Sequence, residues 1–223
     1  MEKYYQFRVS LNEVTPEVWR TFQVSELHSL FDLHQVIQVV MGWENDHLFQ
    51  FKKDGIWYGL IDEDDVVSTK MLDADDTLLH ELGLKENDSF EYEYDLGDGW
   101  MHTLKLLKIV TLEEELLPVA FAGENACPFE DCGGPAAYME LKEALLNPKN
   151  EEEREMRETM GDFDPTFFDL EEVNEILEDI VEEDWLEDDE DDDGDGDDDE
   201  DIDFDDLDDD GLFDDFNDDV KKN

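Results

Sequence analysis

The sequence predicts an α+β fold: an antiparallel or mixed sheet, one amphipathic helix packed on it, further helices after the sheet, and a disordered acidic tail. Three observations carry this expectation. Apolar residues alternate in twos through much of the first 110 residues, a single segment of helical period interrupts them, and from about Asp184 the chain becomes almost wholly acidic.

The elements follow in order. Tyr5, Phe7, Val9 and Leu11 alternate with polar residues, and Val18 to Val24 alternate again after the turn at Thr15-Pro16, which reads as two paired strands. Ser29 can cap a helix in which Leu33, Val36, Ile37, Val40 and Met41 share a face and Gly42 is the stop. His47 to Phe51 and Ile56 to Leu60 form a hairpin across Asp54-Gly55, a pair that tolerates the left-handed backbone of a tight turn. Asp76 to Leu84 reads as a short helical turn ended by Gly83. Phe90, Tyr92 and Tyr94 then make a strand that returns from Trp100 to Val110 through the loop Asp95 to Gly99. Helices are expected from about Pro135 to Leu146, from Glu151 to Met160, and after Asp169, whose pairing with Glu172 precedes Leu170, Val173, Ile176, Leu177 and Ile180 on one face. The order strand, strand, helix, strands, helical turn, strand is similar to the β-grasp arrangement of ubiquitin-like folds. No internal repeat is visible.

Two segments are therefore expected: a folded body over 1–183 and a tail over 184–223. The net charge is −54. The tail carries 24 acids against Lys221 and Lys222, so −32 remains on the body. Like charges repel, and the few apolar residues of the tail, among them Phe204, Leu207, Leu212, Phe213 and Phe216, cannot offset an ordering cost of ~1–2 kcal/mol per residue. Such a charge argues against direct binding of nucleic acid or of an anionic membrane surface, and favours basic proteins and divalent cations as partners. It also serves solubility or high salt. No stretch approaches the roughly 20 apolar residues of a membrane span, and the opening residues lack the apolar run of a secretion signal. Two cysteines are too few for a disulfide framework. Cytoplasm is the expected address.

Several separated motifs carry a resemblance. Pro16-Glu17-Val18-Trp19-Arg20, Leu33 to Gln38, Met41-Gly42-Trp43, His47 to Phe51, Tyr94 to His102, and Cys127 to Gly134 occur in the order seen in the plasmid pRiA4b ORF-3-like family. The chain resembles that family over roughly residues 4–182, with Phe129 where the family more often shows a second proline. The resemblance implies no defined activity. Members are sometimes labelled resolvase-like, but a serine resolvase needs a nucleophilic Ser, an arginine cluster and a basic DNA-binding module. Here arginine occurs only as Arg8, Arg20, Arg154 and Arg157.

The densest chemistry lies in Asp95, Asp98, His102, Cys127, Glu130 and Asp131, six side chains able to bind metals or move protons, at or near two glycine-bearing loops. They are the candidate functional cleft, with the loops expected side by side and His102 as a third wall. The alternative is structural: Asp98-Gly99 makes a turn, Asp95 bonds turn amides, Asp131 caps a helix, and His102 points into the sheet packing with Leu104 and Leu106. Cys127 and Cys132 could hold zinc with His47 or His102, although their spacing is wider than the usual CxxC pair. In the tail, Asp189, Asp191, Asp193, Gly194 and Glu200 fit the spacing of a calcium loop, yet Gly196 stands where a branched apolar residue belongs and so acid-rich a run matches by chance. Trp19, Trp43, Trp57 and Trp100 read mainly as core. The leading function is a binding or adaptor module whose tail recruits or shields a basic partner. The alternative is a metal-dependent enzyme using the cleft between loops 95–102 and 127–134, with a divalent metal as its cofactor.

Overall fold

The computed structural model describes residues 1–61, 71–113, 116–160 and 164–180. All belong to one compact unit, Met1–Glu187. The acidic tail expected from Asp184, with its calcium-loop pattern at Asp189, Asp191, Asp193 and Glu200, lies outside the described residues.

The fold is α+β. Among the described residues eight strands, β1 (Glu2–Leu11), β2 (Trp19–Ser25), β3 (Phe49–Lys53), β4 (Ile56–Gly59), β5 (Met71–Asp73), β6 (Ser89–Tyr94), β7 (Trp100–Leu112) and β8 (Val119–Glu124), form one sheet in the order β5-β4-β3-β6-β7-β1-β2-β8. Every pairing is antiparallel except β4 with β5. The element order expected from the sequence is met; the antiparallel central pair β1–β7, in register from Glu2↔Leu112 to Leu11↔His102, is what it left open. Asp54 and Gly55 both take positive φ, 51° and 82°, as the tight hairpin requires. Two strands escaped the sequence reading. β5 has three residues, and β8, with Gly123 and three alanine or valine positions, lacks the large alternating residues that marked the others.

Helix α1 (Leu30–Met41) covers the inner face. Ser29 accepts from the Asp32 amide at 3.0 Å while the Asp32 carboxylate accepts from the Ser29 amide at 2.7 Å, and Gly42 ends the helix in the left-handed region. The expected stripe of Leu33, Val36, Ile37, Val40 and Met41 is buried. So are Leu30, Val39, His34 and Gln38, because α1 touches the sheet on one side and α4 (Leu170–Ile180) on another. Inward-facing Tyr5, Phe7, Val9 and Leu11 of β1 meet Phe22 and Val24 of β2, Phe90 and Tyr92 of β6, and Leu104 and Leu106 of β7 in one core. α2 (Gly134–Leu146) and α3 (Glu151–Met160) pack on each other. Trp43 and Trp100 join the core as expected. Trp19 and Trp57 instead lie half-buried on the outer face, where Arg8 and Lys52 cover their rings at 4.7 Å.

The edge strand β8 has its own cover. The Ala120 amide donates to Asn174 Oδ1 at 2.8 Å, and Asn174 Nδ2 donates to the Ala120 carbonyl at 3.2 Å, so one side-chain amide from α4 stands in for a neighbouring strand. Asn174→Ala is expected to cost about 1–2 kcal/mol and to raise self-association, because two edge groups lose their partners. Thermal melts and light scattering check this; a variant as stable and as monodisperse as the parent would refute it.

Candidate functional site

Three loops meet at one end of the sheet. The first, 42–48, leaves α1 and is held almost amide by amide by side chains of other elements. The Glu44 amide donates to Glu130 Oε1 at 2.9 Å, the Asn45 amide to Gln38 Oε1 at 3.1 Å, and the Asp46 amide to Tyr94 Oη at 3.1 Å. Asn45 sits at φ 61° and accepts through Oδ1 from His34 Nε2 at 2.7 Å. That bond fixes the His34 tautomer: Nδ1 bears no proton and accepts from Tyr92 Oη at 2.8 Å, while Tyr92 Oη accepts from Gln38 Nε2 at 2.9 Å. Burial drives His34 down to a pKa of about 4, so this network is neutral at pH 7.

In the second loop, Asp95 is buried at φ 52°. Its Oδ1 accepts from the amides of Gly97 at 2.8 Å and Asp98 at 3.1 Å, and its carbonyl accepts from the Gly99 amide at 2.7 Å. Its own amide donates to the Leu48 carbonyl at 2.9 Å, tying this loop to the first. The turn-forming reading of Asp95 thus holds in full, and one carboxylate oxygen still remains outside the turn.

The third loop, 125–133, reaches the second directly. Asp98 Oδ2 accepts from the Gly133 amide at 2.9 Å, and a Cβ on Gly134 would lie 2.5 Å from the Asp98 carbonyl oxygen. The two loops lie side by side. Gly134 also has φ 82°, so Gly134→Ala meets both backbone strain and a clash with main chain. A loss of about 2 kcal/mol or more is expected, together with loosening of loop 95–99. Amide hydrogen exchange at Gly97 to Gly99 checks it, and unchanged protection would refute it.

Between these loops stand four side chains. His47 Nε2 lies 3.3 Å from Asp131 Oδ1 and 3.5 Å from Glu130 Oε2. One potential ligand atom each from His47, Asp95 and Asp131 lie within 4.8 Å of one another. Glu130 is oriented by its other oxygen, which accepts from Tyr94 Oη at 3.1 Å as well as from Glu44; burial and this carboxylate push the Tyr94 hydroxyl well above its ordinary value. Glu130 Oε2 is buried with no hydrogen-bond donor.

The sequence-selected residues therefore divide. Asp95 and Asp131 converge on His47 and Glu130 lies against the same imidazole, while Asp98 joins the two loops through its bond to Gly133. Cys127 and Cys132 are free thiols packed against the core, and burial raises both above the usual thiol range. Neither joins the three-residue group, so the thiol-zinc arrangement has no support among the described residues. His102 does not wall the cleft. It is 0 % exposed, edge-on to Trp43 at 6.4 Å and 5.2 Å from the Tyr92 ring, because its parity with Leu104 and Leu106 on β7 points it inward. Its ring nitrogens face the backbone of Trp100 and Tyr92 without reaching good hydrogen-bond geometry, and burial lowers its pKa to about 4. The imidazole that does reach the loops is His47. Its signal was its position in a polar loop, Glu44-Asn45-Asp46, just before a strand.

Arg20 anchors the opposite end of the third loop. It is 2 % exposed and donates to the carbonyls of Val40 (2.7 Å), Trp19 (2.8 Å), Glu124 (2.9 Å) and Asn125 (2.8 Å), with its guanidinium 4.0 Å from the Phe168 ring. Burial lowers its pKa to about 10, which leaves it charged at neutral pH.

Comparison with known proteins agrees with the motifs. A crystal structure titled as a protein of unknown function, MM3350 from Methanosarcina mazei Go1, is 34% identical, covers 78% of this chain and 98% of that one, and superposes with a TM-score of 0.68. The uncharacterized protein y4hQ of Sinorhizobium fredii (strain NBRC 101917 / NGR234) is 33% identical over 183 residues, 78% of this chain and 91% of the relative. The family model described as plasmid pRiA4b ORF-3-like protein matches residues 3–172, and the chain belongs to that family.

Proposed function

We propose that the protein is a metal-dependent binding module in which the junction of loops 42–48, 95–99 and 125–133 holds one divalent cation. The observation that carries this reading is the approach of His47, Asp95 and Asp131 ligand atoms to within 4.8 Å. Carboxylates this close raise one another's free energy unless a proton or a cation intervenes, and a divalent ion is the simplest resolution at pH 7. The rigid anchoring of all three loops supports it, since a site held by hydrogen bonds loses little entropy on binding. His102, the imidazole singled out as a candidate acid or base, is fully buried and cannot touch a ligand, so any acid or base role would fall to His47.

In this reading the body takes the cation and its ligand, while the acidic tail attracts basic proteins through charge. Tail-dependent capture of such partners should fade steeply with salt, since exposed charges are screened within roughly 8 Å at physiological ionic strength. The cation site is tested by equilibrium dialysis of the full chain in about 150 mM salt. One tightly held divalent ion per chain is expected, and the double variant Asp95→Asn, Asp131→Asn should lose it while keeping only weak, diffuse binding to the remaining acids. Equal binding by parent and double variant would end the proposal.

A further inference from the structure

We infer that Glu130 is the fourth donor of this site, and that the resulting set of one nitrogen and three oxygens selects a first-row transition ion such as Mn2+, Fe2+ or Zn2+ over Ca2+ and Mg2+. The inference rests on the cation site proposed above and deepens it.

Two independent features point to Glu130. Its Oε2 is buried and receives no hydrogen bond, a costly state for an ionised carboxylate oxygen, whereas Oε1 of the same group accepts two. An oxygen left bare beside one so well supplied is the arrangement expected where a cation is the missing partner. The second feature is spacing. Donors arranged tetrahedrally about 2.0–2.1 Å from a zinc-sized ion stand roughly 3.4 Å from one another. His47 Nε2 lies 3.5 Å from Glu130 Oε2 and 3.3 Å from Asp131 Oδ1. Both distances from the imidazole nitrogen match the separations that a shared ion imposes, and Glu130 stands beside, not within, the three residues whose ligand atoms all lie within 4.8 Å of one another. Asp95 approaches from its turn on the opposite loop as the remaining oxygen donor.

The imidazole decides the class of ion. Ca2+ takes six to eight oxygen donors, and Mg2+ keeps much of its water shell, whereas imidazole with carboxylates suits Zn2+, Fe2+ and Mn2+. Glu130 also positions His47 indirectly, because its Oε1 holds the Glu44 amide in the loop that carries His47. One carboxylate thereby serves as ligand through one oxygen and as a brace through the other.

The experiment uses the full chain with metal ions alone: competitive binding of Zn2+, Mn2+, Ca2+ and Mg2+, and the visible spectrum of bound Co2+ as a report on the donors. Parent protein should bind Zn2+ and Mn2+ at least ten-fold more tightly than Ca2+ or Mg2+. Glu130→Gln keeps an oxygen able to accept from Glu44 and Tyr94, so its Tm should stay close to the parent's, while Zn2+ affinity falls at least ten-fold and the Co2+ spectrum changes. His47→Asp, which makes the donor set all oxygen, should narrow the preference over Ca2+ and provides the test if Glu130→Gln folds poorly. Binding of no ion by the parent overturns the cation site itself and shows that His47, Glu130 and Asp131 form only an ion pair. A parent that binds, but with Ca2+ equal to Zn2+ or with undiminished affinity in Glu130→Gln, overturns this inference alone.

Discussion

Lowering the pH from 7 to 5 is expected to destabilise the folded body by about 4 kcal/mol, an unusual direction for so acidic a protein. His34 and His102 are buried, with pKa values of about 4 in the fold against an ordinary value near 6.5 when unfolded. The unfolded chain therefore binds more protons than the native one between these values. Stability contributed by the neutral imidazoles is fully present above about 6.5 and is lost as pH falls toward 4. At pH 5 each group costs about 2 kcal/mol by this linkage, and His28, lowered chiefly by burial, acts in the same direction. Protonation of carboxylates, which relieves repulsion, sets in mainly below pH 5 and so follows the histidine effect. The measurement is the thermal midpoint across this range. A fall of roughly 10 °C is expected for a body this size, and His102→Leu should remove about half of the dependence. A flat profile between pH 7 and 5 would show that these imidazoles take up protons in the fold as readily as in the unfolded chain.

Arg20→Met is expected to cost about 4 kcal/mol or more. The guanidinium satisfies four carbonyls drawn from the end of α1, β2, β8 and the start of the 125–133 loop, and methionine fills similar space without donating to any of them. Each orphaned buried carbonyl costs about 1–3 kcal/mol unless water reaches it, so even partial rehydration leaves a large loss. Phe168 and Gly123, whose added Cβ would lie 2.5 Å from Arg20 Cδ, close the site against water. Denaturant melts check the value. Arg20→Lys should recover only part of it, since a single ammonium cannot span four acceptors in the plane of a guanidinium. A methionine variant within about 1 kcal/mol of the parent would mean that these carbonyls are met in other ways.

Much of the fold was legible because its signals are local. Ser29 with Asp32, Gly42 and Asp54-Gly55 act on the backbone within a few residues, and the alternation of Tyr5, Phe7, Val9 and Leu11 sorts a strand's two faces wherever its partners lie. The helices after Gly133 were visible through the same local chemistry. On α4, however, Ile176 is 42% exposed although it shares the expected apolar stripe, because the surfaces of α1 and β8 cover only part of it. β8 itself was invisible, since apart from Phe121 its apolar residues are small and its stability comes from β2 and from Asn174, 54 positions away.

The candidate site divides along the same line. Sequence by itself determined which loops carry its acids, because glycine and aspartate at Asp95 to Gly99 and Asp131 to Gly134 are what left-handed turns require. It determined too that His102 has the parity of the core. Only the tertiary structure decided that His47, rather than His102 or the thiols, meets Asp95, Glu130 and Asp131. That choice depends on where the antiparallel register of β3, β6 and β7 brings three loop ends together, and on the bonds from His34, Gln38, Tyr94 and Glu130 that hold the loop carrying His47. Those contacts join residues up to 86 positions apart. No local pattern encodes such a meeting, because its free energy arises only when the separate elements have packed.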